Sequence, residues 1–278
     1  KLGIPQLIIG LTIVAMGTSM PEAAVSITAA LQKNAGITIG NIVGSNILNV
    51  LIILGVTAVI TNVAIQTSTF RYEIPFMMVV TIILLVFGIT GGEVTFVEGI
   101  IFWVLFLLYL GYLFVMAKKG TNEEEGETKD YPVWKCILFM VIGGVLVVKG
   151  SDFAVSGASA IARYFGMSER FIGLTIVALG TSLPELVTSI VAARKNEVDM
   201  ALGNAVGSCI FNILMVLGIA SAISPIAFIQ ENIIDIIVLV VFSLIVWIMA
   251  WTKREIKRGE GIIMLLMYAA YTAYIIIR

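Results

Sequence analysis

Residues 10–22 read GLTIVAMGTSMPE and residues 173–185 read GLTIVALGTSLPE. Residues 40–49, GNIVGSNILN, return as GNAVGSCIFN at 203–212. Both matches hold at one constant offset, with position 10 falling on 173 and position 40 on 203, and neither needs a gap. An ungapped recurrence of this length marks an internal duplication. The chain therefore folds as two copies of one unit, and each copy must place the same side chains in the same local structure.

The apolar residues come in runs of about 20, the length a helix needs to cross about 30 Å of hydrocarbon. They amount to 59% of the 278 residues, and only 13% are charged, roughly half the share a soluble domain carries. Mean hydropathy is +1.06. The runs and their breakers predict nine spans, at about 5–31, 36–60, 73–90, 96–117, 134–162, 168–194, 199–223, 232–251 and 260–277. Lys118 to Lys135 is the long polar segment, and Glu123, Glu124, Glu125 and Glu127 make it acidic. It reads as a solvated hinge loop. The net charge of -1 argues against a nucleic-acid role. The absence of histidine removes imidazole metal sites and the commonest proton carrier near neutral pH. Cys136 and Cys209 lie in separate apolar stretches and read as packing residues, not as a disulfide.

Alternating the nine spans puts twelve Lys and Arg residues on one side and four on the other, with Lys149 inside a span. The richer side is expected to be cytoplasmic, and the acidic loop lies on it. The second copy has a full span, 134–162, ahead of its motif, where the first copy has only the start of the chain. The expectation is an N-terminal helix missing from this chain and ten spans in all, five per copy. An odd number per copy inverts the second relative to the first, as in secondary transporters. The expected fold is thus an all-α membrane protein of inverted five-helix repeats. Residues 1–117 form the first half, 118–133 the acidic loop and 134–278 the second half. There are no targeting features at Lys1 that resemble a signal peptide.

Each copy sets Gly-Thr-Ser-x-Pro-Glu inside an apolar run. Pro21 and Pro184 remove a backbone donor and clash with the preceding turn, and Gly17 and Gly180 loosen it, so helices are expected to break at 17–21 and 180–184. A break frees carbonyls near Ala15 and Ala178, which in lipid are tolerated only against protein or a wet cavity. Beside each break stands a carboxylate, Glu22 or Glu185, with no basic residue nearby in its own span. Unpaired charge in a span is costly and marks function. Thr18, Ser19, Thr181 and Ser182 add hydroxyls, and an oxygen-only set suits hard cations such as calcium or sodium. In the second motif Ser45 and Asn49, like Ser208 and Asn212, lie four apart on one helix face. This element also reads as an interrupted helix. Gly40/Gly44 and Gly203/Gly207 have the spacing of close helix packing. Lys149 and Asp152 sit three apart and read as neutralising each other. Glu73, Glu93, Glu98, Asp199, Glu231, Asp235 and Glu260 fall near span ends and read as interfacial.

The paired GTS(M/L)PE and GN-x-x-GS motifs resemble the α-repeats of the cation/calcium exchanger superfamily, specifically its sodium/calcium exchanger branch, over nearly the whole chain. The resemblance implies ten helices and four central ion sites. It places ligands on Ala15 (carbonyl), Thr18, Ser19, Glu22, Ser45 and Asn49, and on Ala178 (carbonyl), Thr181, Ser182, Glu185, Ser208 and Asn212. Some members resembling this chain carry Asp where Asn212 stands, and the loss of that charge leans away from potassium co-transport. The implied activity is antiport of sodium against calcium by alternating access, with no enzymatic reaction and no cofactor. The transported ions are Ca2+ and Na+, the bilayer is the surrounding partner, and a monomer suffices. A multi-pass protein of a prokaryotic inner membrane is expected, because the short central loop leaves no room for a regulatory domain. A proton/calcium antiporter is the alternative within the class. A channel and an intramembrane hydrolase using both carboxylates are rivals outside it.

Overall fold

A computed structural model describes residues 4–119, 132–166 and 178–277. The described residues are helical, with four two-residue strands among them. Among the described residues, α1 (Gln6–Thr18) and α2 (Met20–Leu31) meet at a 47° bend. Then come α3 (Ala35–Ile60), β1 (Val63–Ala64), α4 (Thr69–Gly91), β2 (Glu93–Val94) and α5 (Phe96–Lys119). The second half contains α6 (Val133–Tyr164), α7 (Ala178–Thr181), α8 (Leu183–Arg194), α9 (Val198–Ile223) and β3 (Ile226–Ala227). It ends with α10 (Gln230–Met249), β4 (Glu255–Ile256) and α11 (Arg258–Ile277).

Six of these helices (α3, α4, α5, α9, α10 and α11) are long and apolar enough to cross a membrane, and the bent α1–α2 pair passes the same test as one unit. The acidic segment 120–131 and residues 167–177, the start of the expected span 168–194, lie outside the described residues. α6 covers the expected span 134–162, and on it Lys149 Nζ lies 3.7 Å from Asp152 Oδ2, the mutual neutralisation read from their spacing.

Sequence chemistry explains where the helices stop. Asn34 accepts from Ile37 N at 3.2 Å and caps α3, supplying one of the acceptors a helix start lacks. Gly92 closes α4 at φ 69°, a left-handed conformation natural to glycine. Lys33 and Asn196, equivalent positions of the two copies, both turn the chain at positive φ between paired helices.

The strands reveal the inversion. β1 pairs antiparallel with β4, and β2 with β3. β1 and β2 flank α4, and β3 and β4 flank α10. The start of α4 is therefore tied to the end of α10 and its end to the start of α10. The two equivalent helices run in opposite directions. Beyond the strands, the register between the copies is one position shorter than at the motifs. Thr95 N donates to Glu98 Oε2, and its counterpart Lys257 N donates to Glu260 Oε2, both at 2.7 Å. The second copy has thus lost one position ahead of α10.

α3 and α9 form the centre: 78% of the apolar window of each is buried, against 17–33% in α4, α5, α10 and α11. The outer helices present their apolar residues outward, as helices facing lipid do. Glycine sets how closely the layers meet. A Cβ on Gly261 of α11 would lie 2.7 Å from Gly55 O of α3, and one on Gly218 of α9 would lie 3.2 Å from Gly99 O of α5.

Two readings of the sequence are corrected. Glu73 is not interfacial in the sense of being solvated. It is 0% exposed, because α5 covers it and Tyr112 donates its hydroxyl to Glu73 Oε1. Asp235, its equivalent in the second copy, is also buried. Cys136, expected to be a packing residue, is exposed on α6, whereas Cys209 is buried, and both are free thiols.

Candidate functional site

The two breaks occur where proline and glycine place them. Ser19 stands between α1 and α2 at φ -82°, ψ 9°, and Ser182 stands between α7 and α8 at φ -92°, ψ 8°. Pro21 and Pro184 fall in the first turn of the following helix, where a missing N–H costs nothing. Glu22 and Glu185 follow in the same turn, at the positive end of the helix dipole. Both are buried, at 1% and 0% exposure.

Each glutamate is held by the other half of the chain. Ser182 Oγ donates to Glu22 Oε1 at 2.9 Å, and Ser19 Oγ donates to Glu185 Oε1 at 2.8 Å. Ser45 Oγ adds a longer contact to Glu22 Oε1, 3.5 Å. Thr18 Oγ1 donates at 3.1 Å to Asn204 Oδ1, and Ser208 Oγ reaches Ala15 O at 3.5 Å. Thr181 is half-buried beside Ser182. Ala178 is the first described residue of α7.

The expected release of the Ala15 carbonyl is corrected. Ala15 O keeps its helical bond from Ser19 N at 3.0 Å, because the bend falls after it. Its second lone pair faces Thr18 and Ser208. The second motif is likewise not broken. α3 and α9 run continuously through it, since it contains no proline. Each widens into a π-helical segment that begins at the repeated asparagine of its copy, Asn49–Ile53 and Asn212–Leu217. Such widened turns add a residue to the helix and re-aim side chains, often at functional sites.

Sequence reasoning missed a supporting set. Asn41 Nδ2 donates to Glu22 O (3.1 Å) and Ser26 Oγ (2.9 Å). Asn204 Nδ2 makes the equivalent pair with Glu185 O (3.2 Å) and Ser189 Oγ (3.0 Å). The signal was present, for Asn41 and Ser26 recur as Asn204 and Ser189, polar residues in apolar runs at the offset of the motifs. Asn46 and Cys209 are equivalents too, and they meet where α3 crosses α9. Asn46 Nδ2 donates to Cys209 O at 3.1 Å, and Asn212 Nδ2 donates to Asn46 Oδ1 at 3.1 Å. With its NH2 engaged, Asn212 keeps its Oδ1 as a free acceptor.

Four buried oxygens at this centre have no hydrogen-bond partner: Glu22 Oε2, Glu185 Oε2, Asn49 Oδ1 and Asn212 Oδ1. All are acceptors, and a buried acceptor without a donor costs several kcal/mol, about 2–7 by transfer measurements. Acceptors without donors are the groups that a cation satisfies. No three Asp, Glu, His or Cys side chains cluster among the described residues, so the donor set is two carboxylates with neutral hydroxyl and amide oxygens. That set suits a hard cation.

Asn46→Ala removes the group that orients Asn212. Leaving the buried Asn212 amide unpaired costs about 1–3 kcal/mol. The expected outcome is a lower Tm in detergent and weaker cation protection of the fold, read as a smaller upward shift of Tm when calcium is added.

Comparison with known proteins agrees with this geometry. The profile of the family described as "Sodium/calcium exchanger protein" matches residues 1–115 and 135–277. Inner membrane protein YrbG of Escherichia coli is 34% identical over 280 residues, covering 95% of this chain and 84% of that one. Sodium/calcium exchanger MaX1 of Methanosarcina acetivorans is 32% identical over 312 residues, covering 98% and 89%. A structure of the sodium-calcium exchanger NCX_Mj, soaked with 10 mM Na+ and zero Ca2+, superimposes with a TM-score of 0.84 at 33% identity, covering 98% of this chain and 88% of that one. With a duplicated motif, inverted halves and a paired-glutamate centre, the chain is a multi-pass membrane protein that belongs to the sodium/calcium exchanger family.

Proposed function

We propose that this protein is an antiporter that exchanges sodium for calcium by alternating access, with both ions bound at Glu22 and Glu185. The observation that carries this reading is the reciprocal bonding of each glutamate by the serine of the opposite half, beside four unpaired acceptor oxygens. Calcium cancels the two carboxylate charges. Three sodium ions overcompensate them by one charge, which makes the cycle voltage-sensitive. The ligands are Thr18, Ser19, Glu22, Ser45 and Asn49 with the Ala15 carbonyl, and Thr181, Ser182, Glu185, Ser208 and Asn212 with the Ala178 carbonyl.

Sodium and calcium compete for the same oxygens, so one must leave before the other binds, which enforces exchange. Movement is allowed only when the site is filled, because bare carboxylates are costly to carry through an apolar environment. The site is divided between halves 1–117 and 134–278, linked by the acidic loop 118–133, so any displacement of one half against the other remodels both glutamates. Asn212 in place of a carboxylate supports potassium independence. The names of MaX1 and of the NCX_Mj structure agree with these ions. A monomer contains the whole set. The protein would sit in a prokaryotic inner membrane with the acidic loop cytoplasmic.

Equilibrium binding of radioactive calcium to the purified protein, titrated with sodium at constant pH, tests the shared site. Sodium is expected to displace calcium completely and cooperatively. Calcium binding indifferent to sodium but lost on mild acidification would favour the proton/calcium alternative.

A further inference from the structure

A second buried carboxylate lies outside the ion site. Glu73 belongs to a π-helical segment, Thr69–Glu73, at the start of α4. It is 0% exposed, and while Oε1 accepts from Tyr112, Oε2 has no partner. Tyr109, 5% exposed, has a hydroxyl without a partner as well. Both residues line a groove of about 340 Å³ between α4 and α5. The groove wall is aromatic: Phe76 stacks on Tyr109 at 5.3 Å, and Tyr112 lies 6.4 Å from both Tyr109 and Tyr72. Arg71 stands at its edge and forms no ion pair among the described residues. Leu105 and Leu108 continue the groove along α5.

A carboxylate oxygen in need of a donor, ringed by aromatic faces, selects an ammonium group. A free guanidinium beside it selects a phosphate. Apolar side chains running on from there select acyl chains. The level fits, since Phe70 stacks on Trp247 and meets Trp251 edge-on at the same end of α4, and such aromatic residues mark the membrane interface. In the register that pairs Glu73 with Asp235, the second half retains the carboxylate and the tyrosines, as Asp235, Tyr271 and Tyr274. It has Ile233 and Ile234 where the first half has Arg71 and Tyr72. The combination thus occurs once per chain.

We propose that this groove binds the headgroup of one phosphatidylethanolamine molecule, with its primary ammonium on Glu73 Oε2 and its phosphate on Arg71. A choline headgroup satisfies the aromatic faces but has no N–H to give Glu73. An anionic glycerol headgroup satisfies Arg71 alone.

The test uses the full chain reconstituted in vesicles of equal parts phosphatidylethanolamine, phosphatidylcholine and phosphatidylglycerol, then extracted and weighed intact by native mass spectrometry. One phosphatidylethanolamine per protein is expected in excess over the other two lipids. Arg71→Ala and Glu73→Gln should each reduce it by roughly tenfold, as loss of a charge-assisted hydrogen bond does. If Glu73→Gln fails to fold, the exposed Arg71→Ala carries the test alone. Equal retention of the three lipids, or retention unchanged in Arg71→Ala, would overturn the proposal. Displacement of the lipid by free phosphoethanolamine at comparable concentration would overturn the lipid as occupant.

Discussion

Glu22→Gln and Glu185→Gln are each expected to reduce sodium-driven calcium flux by at least about a hundredfold while leaving the protein folded. Glutamine keeps the shape and an acceptor oxygen for Ser182 or Ser19, so the bonds at 2.9 and 2.8 Å survive. What is lost is one of two negative charges facing a doubly charged ion. A unit charge pair at 4 Å is worth about 4 kcal/mol at an effective dielectric constant near 20. A tenfold change in affinity corresponds to about 1.4 kcal/mol, so a single unit of the ion's charge already accounts for two to three orders of magnitude, and a divalent ion for more. The structure treats the two glutamates alike, each buried and each held from across the repeat. Initial rates of calcium uptake into sodium-loaded vesicles are the readout. If either variant kept half the wild-type rate, that glutamate would not be a shared ligand.

Gly203→Val is expected to abolish both stability and ion binding, though it removes no ligand. A Cβ at position 203 would lie 2.6 Å from Leu7 O and 3.0 Å from Leu11 N. Gly10 faces it from α1, and a Cβ there would lie 2.6 Å from Met200 O. These neighbours are backbone atoms and cannot rotate away, so α1 must withdraw from α9. Overpacking of this kind costs about 1–3 kcal/mol or more. Withdrawal also parts Thr18 from Asn204 and Ala15 from Ser208, contacts that tie the first break to α9. The expected result is loss of the monodisperse peak in size-exclusion chromatography, or a much lower Tm with no calcium response. Gly111→Ala, on the outward face of α5 with nothing within 4 Å of its Cβ, should leave both unchanged. A folded, calcium-responsive Gly203→Val protein would show that α1 does not need this approach.

The parts of this fold visible in the sequence are those encoded locally. A proline with a glycine four positions earlier breaks a helix locally, and both breaks, at Ser19 and Ser182, fell within the expected windows. The duplication identified the two glutamates, because a charge repeated in apolar surroundings has no structural explanation. The parts that stayed hidden depend on which helix lies next to which. Ser19 reads as a neighbour of Glu22, three positions further along the chain, yet its hydroxyl serves Glu185, 166 residues on. Glu73 read as interfacial from its place near a span end, with nothing in its neighbourhood to show that it is buried. Its burial comes from α5, through Tyr112, 39 residues away. The GN-x-x-GS segment read as an interrupted helix. In the structure the helix continues, and Gly203 and Gly207 lie against the backbone of α1, the close packing their spacing predicted, whereas Gly40 and Gly44 have nothing within 4 Å of an added Cβ. Asn46 escaped notice because its equivalent is Cys209, so the repeat comparison paired unlike residues at a place where equivalent positions of the two halves touch.

Calcium-45 uptake into vesicles containing the full protein tests the central claim most directly. The vesicles are loaded with sodium, and external sodium is removed and then restored. Uptake should appear only with an outward sodium gradient, stop when sodium is restored outside, and vanish in Glu185→Gln. Uptake that ignores sodium and follows an imposed pH step would contradict sodium/calcium exchange at the paired glutamates.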